Sequence, residues 1–431
     1  MSAADPAAGA ATALAEFRGG LERNRDGRGG VAMSCCSAHP LVLRALFRSA
    51  RRHGTFALVE ATSNQVDQYG GYTGMRPPDF ARLVREVAAE EGFPAGRVLL
   101  GGDHLGTNTW RGRPAAQAMG EARALVEAYV RAGFEKIHLD ASFPCADDLG
   151  PPGDAVVAER CAELAAAGEA SCAGAAPVYV VGTEVPTPGG THGPEELRVT
   201  SAADVERTLR VFEDTFRRRG LSRAWERVVA LVVQPGVEFG DGVVHDYRGA
   251  PELARTILGH RGMVYEAHSI DYQSGQSLRR LAADHFFVQK VGPWLTFALR
   301  EALFALELCE RELAPAEPSR LRETLTRVMK DDPRHWSRYY AGTPAEVDFK
   351  LAFSLSDRAR YYLARPEVAE AVLRLFHNLA AGVPEALVSQ YLPSQYPRLR
   401  SGELGAGPRD LAVERVCDVM ELYLRAGESR A

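Results

Sequence analysis

Acids and histidines recur in this chain at the ends of short apolar runs. Asp103-His104 ends one such run, just after Gly101-Gly102. Glu266-Ala-His268 ends another, and Glu184 lies in Gly182-Thr-Glu-Val-Pro. An imidazole beside a carboxylate supplies a metal ligand and an acid–base group from adjacent positions. Glu266 and His268 lie on one face of an extended segment, because strand side chains alternate. His104, Glu184 and His268 thus make a candidate metal set with positions left for substrate oxygens, and Asp103, Glu60 and Asp140 are candidate acid–base groups. Plainer readings stand beside these. Asp103 caps a turn, His104 packs under a loop, and Glu184 pairs with an arginine or a sugar hydroxyl.

Other polar groups fall at equivalent places. The loop from Asn64 to Gly74 brings Asn64, Gln65, Asp67 and Gln68 together with glycines, which suits several sugar hydroxyls or a turn held by its own side chains. Gln234 ends a further apolar run, and Lys290-Val-Gly-Pro ends the last. Barrels commonly bind phosphate at that last position; Lys290 is also placed for a Schiff base, although the assembled acids and histidines favour metal chemistry. Arg358, in Ser356-Asp-Arg, is a candidate phosphate clamp or simply part of a solvated helix start. Gly101-Gly102 reads as a place where backbone approaches a ligand. His138 reads as facing the helices, His285 as lying at the far end of a strand, and His39 as a helix cap.

The elements that must gather these residues are eight apolar runs: Val31–Cys36, Phe56–Glu60, Val98–His104, Lys136–Asp140, Val178–Glu184, Val228–Gln234, Val264–His268 and Phe286–Lys290. Stretches of 3.6-residue periodicity separate them, such as Ala115–Ala132, Ala155–Ala170 and Ala202–Arg219. Strand–helix alternation implies parallel strands with right-handed crossovers. Eight units, with no GxGxxG after the first, predict an α/β fold: a closed (β/α)₈ TIM barrel rather than an open dinucleotide-binding sheet. The predicted organisation is a lead-in over 1–30, a barrel over 31–314 and a C-terminal helical cap over 315–431. Candidate cap helices are Leu321–Met329, Pro366–Leu379 and Pro408–Tyr423.

Bulk composition narrows the class. The chain has 431 residues, room for one barrel of about 250 with an appendage. A net charge of −5, with arginines interspersed among acids, argues against nucleic acid as partner. Seven scattered cysteines without a CxxC pair suit a reducing cytoplasm. No apolar stretch is long enough to span a membrane, and the start lacks a signal-peptide core.

Longer strings carry a resemblance. Glu60-Ala-Thr-Ser-Asn-Gln-Val-Asp-Gln-Tyr-Gly-Gly-Tyr-Thr-Gly-Met, Gly101-Gly-Asp-His-Leu-Gly, Lys136-Ile-His-Leu-Asp, Val233-Gln-Pro-Gly-Val-Glu-Phe, Glu266-Ala-His-Ser and Lys290-Val-Gly-Pro resemble the tagatose-bisphosphate aldolase non-catalytic subunit family, as do Ser356-Asp-Arg and Ser389-Gln-Tyr-Leu-Pro-Ser-Gln-Tyr. The likeness runs from about residue 30 to beyond 400. Ala141 stands where family members commonly have cysteine.

The resemblance implies a barrel related to class II aldolases, in galactitol or amino-sugar catabolism, and a class II aldolase chain as partner. It also implies, for some members, 4-epimerisation of ketose 6-phosphates, interconverting fructose 6-phosphate and tagatose 6-phosphate. A C4 proton is not α to a C2 carbonyl, so inversion there calls for retro-aldol cleavage and re-addition. A divalent ion (zinc first, manganese or magnesium otherwise) would assist by polarising that carbonyl. The expected ligand is therefore a phosphorylated ketose; a homo-oligomer is left open.

Overall fold

The structure, a computed structural model, describes residues 6–183 and 198–428. Eight parallel strands close into a barrel in chain order: β1 (Ala32–Cys35), β2 (Ala57–Thr62), β3 (Val98–Gly106), β4 (Lys136–Asp140), β5 (Val178–Gly182), β6 (Val228–Val232), β7 (Val264–Ala267) and β8 (Phe286–Val291). β1 pairs with both β2 and β8, which seals the cylinder. The expected (β/α)₈ fold is present. A two-residue antiparallel hairpin, Glu238–Phe239 with Val244–His245, follows β6 and was not legible in the apolar pattern.

Side-chain alternation divides the apolar residues into two cores. Met33, Val59, Leu100, Ile137, Leu139, Tyr179, Leu231 and Tyr265 face outward and pack with the helices. Ala32, Leu58, Leu99, Val178, Val180, Ala230, Val264 and Val288 face inward and form a separate cluster with Phe17, Phe56 and Phe287. Phe17 comes from the helix Pro6–Arg25. This helix closes the bottom of the barrel, with the Phe17 ring 5.2 Å from that of Phe287 and 6.1 Å from that of Phe56.

The helix after β8 spans Pro293–Leu313, and the cap helices include Leu321–Asp331, Pro366–Asn378 and Pro408–Ala426. The last of these returns to the barrel wall. Arg52 pairs with Glu414 at 2.6 Å, the Cys417 thiol reaches the carbonyl of Ala45, and the Tyr423 hydroxyl donates to the carbonyl of Ile270 at 2.9 Å. The buried pair Arg300–Asp357, 2.9 Å apart, fastens the middle of the cap to the Pro293–Leu313 helix. The seven cysteines are free thiols. No helix among the described residues is long and apolar enough to cross a membrane.

Because Phe17 is fully buried among barrel-floor side chains, Phe17→Ala is expected to lower stability by about 3–5 kcal/mol. Urea unfolding of the two proteins followed by circular dichroism checks this, and a loss below about 1 kcal/mol would show that the helix does not close the floor.

Candidate metal and sugar-phosphate site

The alternation that buries Leu58, Leu99, Val264 and Val288 continues upward through Glu60, Gly101 and Asp103, Glu266 and His268, and Lys290. On β4 the same parity runs Lys136, His138, Asp140. Above the apolar floor the barrel is thus lined with ionisable groups. Lys136 Nζ lies 2.6 Å from Glu60 Oε1 and 2.6 Å from Glu266 Oε2, and none of the three is exposed. Lys290 Nζ lies 2.5 Å from Glu60 Oε2 and 2.6 Å from Asp103 Oδ1. Burial works against the Lys136 charge, but Glu266 and Glu60 raise its pKa. Burial opposes the Glu266 charge as well, yet Lys136 and Lys290 hold its pKa well below the usual range. The layer is stable only as a set, since a lone buried charge is strongly penalised.

Gly101 makes room for it. A Cβ there would sit 2.6 Å from Glu60 Cγ, while one at Gly102 would meet Leu105 and Tyr129. The glycine pair accommodates protein side chains, not the ligand approach expected for it.

Above this layer three imidazoles meet. The rings of His104, His138 and His268 lie 4.9–5.2 Å apart, centre to centre. Their placement depends on an irregularity in β3, whose register with β4 shifts between Gly102 and Leu105. His104 there adopts φ 51°, the left-handed region. In a regular strand Asp103 and His104 would point to opposite faces. The bulge turns both into the barrel.

Each imidazole has one nitrogen held by a carboxylate. His104 Nδ1 is 2.8 Å from Asp140 Oδ2, His138 Nδ1 is 2.9 Å from Asp103 Oδ1, and His268 Nε2 is 2.9 Å from Glu266 Oε1. Carboxylates behind imidazoles fix the tautomer and present the other nitrogen to a metal. His138 Nε2 is buried with no hydrogen-bond partner. One ligand atom from each of Asp103, His104, His138 and His268 lies within 4.8 Å of the others. The donor set and the orphaned nitrogen fit a divalent cation. Charge agrees. Glu60, Asp103 and Glu266 surround two ammoniums and Asp140 backs His104, so carboxylates outnumber the lysines. Burial lowers the His104 pKa, but Asp103 and Asp140 raise it overall; burial takes His268 down to about 3.

The cluster opens into a cavity of about 610 Å³, whose wall includes Asp103, His104, His268, Lys290, Asn64 and Gln65. The size suits a small phosphorylated metabolite. Glu60, Asp140 and Glu266 stand behind this wall. Gln65 is braced by Thr62 N and the carbonyl of Cys36, at 2.9 and 3.3 Å. Asn64 accepts from the Thr62 hydroxyl.

Other expected ligand groups are placed elsewhere. Asp67 Oδ1 accepts from the amides of Tyr69, Gly70 and Gly71, Gln68 donates to Glu121, and Gln234 accepts from the amides of Gly236 and Val237. These polar groups hold turns. Arg358 is buried with its guanidinium 3.1 Å from the Tyr339 ring centre, whereas Arg360, Arg44 and Arg409 line the cavity wall. Glu184 lies outside the described residues. His39 caps the Pro40–Arg52 helix, accepting from Leu41 N at 3.2 Å, and also lines the cavity. His285 Nδ1 lies 3.2 Å from the carbonyl of Asn24, at the barrel floor.

His138 and Lys136 are the candidate site residues that strand ends alone do not mark. His138 was expected to face the helices. Two-residue parity from Asp140, already counted with the site, places both inside.

The sequence model of the family described as D-tagatose-1,6-bisphosphate aldolase subunit GatZ/KbaZ-like matches residues 18–428. A crystal structure of a probable tagatose 6 phosphate kinase from Sinorhizobium meliloti 1021 shares 44% identity and covers 92% of this chain and 100% of its own, with a TM-score of 0.86. The YdjI aldolase from Escherichia coli K12 is a weak likeness: 10% identity, 82% of this chain, 98% of its own and a TM-score of 0.41. So is a fructose-bisphosphate aldolase from Campylobacter jejuni: 12%, 84%, 92% and 0.45.

Two outcomes are expected. Lys136→Met leaves Glu60 and Glu266 without a shared ammonium, and a loss of about 3–5 kcal/mol in chemical denaturation is expected; near-neutral stability would contradict the role given to the layer. Added Zn²⁺ should raise the melting temperature of chelator-stripped protein, by an amount equivalent to about 2.7 kcal/mol at a hundredfold excess over Kd. His138→Ala and His104→Ala should each abolish most of that rise.

Proposed function

Because the chain belongs to the D-tagatose-1,6-bisphosphate aldolase subunit GatZ/KbaZ-like family, we propose that it is a divalent-metal-dependent 4-epimerase of ketose 6-phosphates, interconverting fructose 6-phosphate and tagatose 6-phosphate. The observation that carries this reading is the triangle of carboxylate-backed imidazoles at the base of a furnished cavity. A purely structural barrel does not need one.

His104, His138 and His268 would hold the ion; it would polarise the C2 carbonyl, and imidazole donors suit zinc ahead of manganese or magnesium. Asp103 then has the position of proton shuttle. Burial opposes its charge, but His104 and Lys290 keep its pKa well below the usual carboxylate range. Its Oδ1 is engaged by His138 and Lys290, and Oδ2 is 3.7 Å from His104 Nε2. Oδ2 is the oxygen left to take the O4 proton as C3–C4 breaks and to return it when the bond re-forms. Glu60, flanked by two ammoniums behind the cavity wall, positions Lys290 instead. Lys290, on the wall itself, favours negative charge developing on the substrate. Asn64, its carbonyl engaged by Thr62, has amide hydrogens for a sugar hydroxyl.

Inversion also requires that the aldehyde fragment turn without leaving. The outer wall of the cavity contains Met75, Leu83, Leu363, Val372 and Phe376, partly from the cap. Leaving past an apolar wall would strip the polar fragment of hydrogen bonds before water could replace them, which slows escape long enough for it to present its other face.

The second reading, a stabilising subunit of a class II aldolase, is supported by the family's description. Purified chain incubated alone with fructose 6-phosphate and Zn²⁺, Mn²⁺ or Mg²⁺ should yield tagatose 6-phosphate by ¹³C NMR. Chelation should stop the reaction and metal restore it. Asp103→Asn should slow it by about 10²–10⁴-fold. No turnover, with rescue of an aldolase chain that survives His104→Ala, would favour the subunit. ATP consumption in the presence of tagatose 6-phosphate would favour the activity named for the Sinorhizobium relative.

A further inference from the structure

The helix after β8, Pro293–Leu313, is 21 residues long, and its first turn borders the cavity that holds His104, His268 and Lys290. Unpaired amides and the helix dipole make this place in a barrel a natural anion site. Here the anion comes from the chain itself. Asp271 lies three residues beyond His268 and is 4% exposed. Its Oδ1 accepts from Gly292 N at 3.1 Å and from Trp294 N at 2.8 Å. Pro293 has no amide hydrogen, and Leu295 N already donates to the carbonyl of Gly292 at 3.1 Å. The turn has no donor left for a phosphate, and a phosphate arriving there would meet a buried carboxylate. The phosphate position expected beside Lys290-Val-Gly-Pro is filled.

We infer that Asp271 is a specificity-determining residue, an internal anion that excludes a phosphate from the end of the ketose nearest the imidazole cluster. The inference rests on the function proposed above and deepens it. With C2 at the cluster, the adjacent end is C1. Asp271 therefore selects ketoses with a free hydroxyl at C1 and a phosphate only at the far end, and disfavours 1,6-bisphosphates. A 4-epimerase of monophosphates requires that choice; an aldolase acting on a bisphosphate would be hindered by it.

Calorimetry on the zinc-loaded full chain tests this with fructose 6-phosphate, fructose 1,6-bisphosphate and inorganic phosphate. Wild type should prefer the monophosphate by about tenfold or more, since opposed like charges are costly at a buried site. Asp271→Ala should shrink or reverse that preference and gain binding of inorganic phosphate. Asp271→Asn keeps the shape without the charge, and should also shrink the preference; it decides the matter if the alanine variant fails to fold by circular dichroism. Equal binding of the two sugars by wild type, or an unchanged ratio in the folded variants, overturns the inference. If wild type binds neither sugar, the functional reading fails, and phosphate binding gained or not gained on removing the Asp271 charge still decides whether the residue is an internal anion.

Discussion

The site depends on two ammoniums shared among buried carboxylates. Lys136 touches Glu60 and Glu266, and Lys290 touches Glu60 and Asp103, all inside a closed barrel. Removing such charges from water is expensive, and their attraction offsets that only while every partner is in place. The layer therefore restricts its surroundings. Strand register is fixed, because a one-residue slip would drive the charges into the helix layer. Gly101 is restricted by the Glu60 side chain. Glu266 and Asp103 cannot move without disturbing His268 and His138, which they orient. The metal-type ligands rest on a rigid ionic support rather than on loops, which is what pre-organised chemistry requires.

One local departure from regularity adds the remaining candidate ligand. The bulge in β3 costs backbone strain at His104, whose φ of 51° is uncommon for a residue with a side chain. In return it brings His104 to the same side as Asp103 and within reach of Asp140. Strain of this kind persists where neighbouring contacts over-determine it, and His104 is held by Asp140 on one side of its ring and faces Asp103 on the other.

Much of this was legible in the sequence, and the failures have a common cause. The eight strands announced themselves as apolar runs, and the acids and histidines at their ends marked the mouth of the barrel. His138 and Lys136 are not marked in this way, because they lie within a run rather than at its end. Charged side chains within a strand are improbable inside an apolar core, and only pairing in three dimensions makes them stable there. Asp67, Gln68 and Gln234 were overvalued for the complementary reason. Amide and carboxylate side chains beside glycine satisfy turn backbone as readily as a ligand, and sequence cannot tell the two apart. Arg358 and Arg360, two residues apart, differ only in which way the cap turns them. No local signal distinguishes them.

The aldolase and epimerase readings of such a barrel are closer than their names suggest. Both begin with cleavage of C3–C4 next to a polarised carbonyl and require the same carboxylate to move the same proton. They diverge afterwards, in whether the aldehyde leaves. That step is governed not by the charged interior but by the wall above it, where the cap contributes Leu363, Val372 and Phe376 to the cavity. The cap is bonded to the barrel through Arg300–Asp357 and Arg52–Glu414, so the wall is fastened to the barrel that carries the imidazoles. A fixed apolar wall retains what an open barrel mouth would release. On this argument the cap, more than any residue in the ionic layer, is where an epimerase and an aldolase built on this barrel would differ.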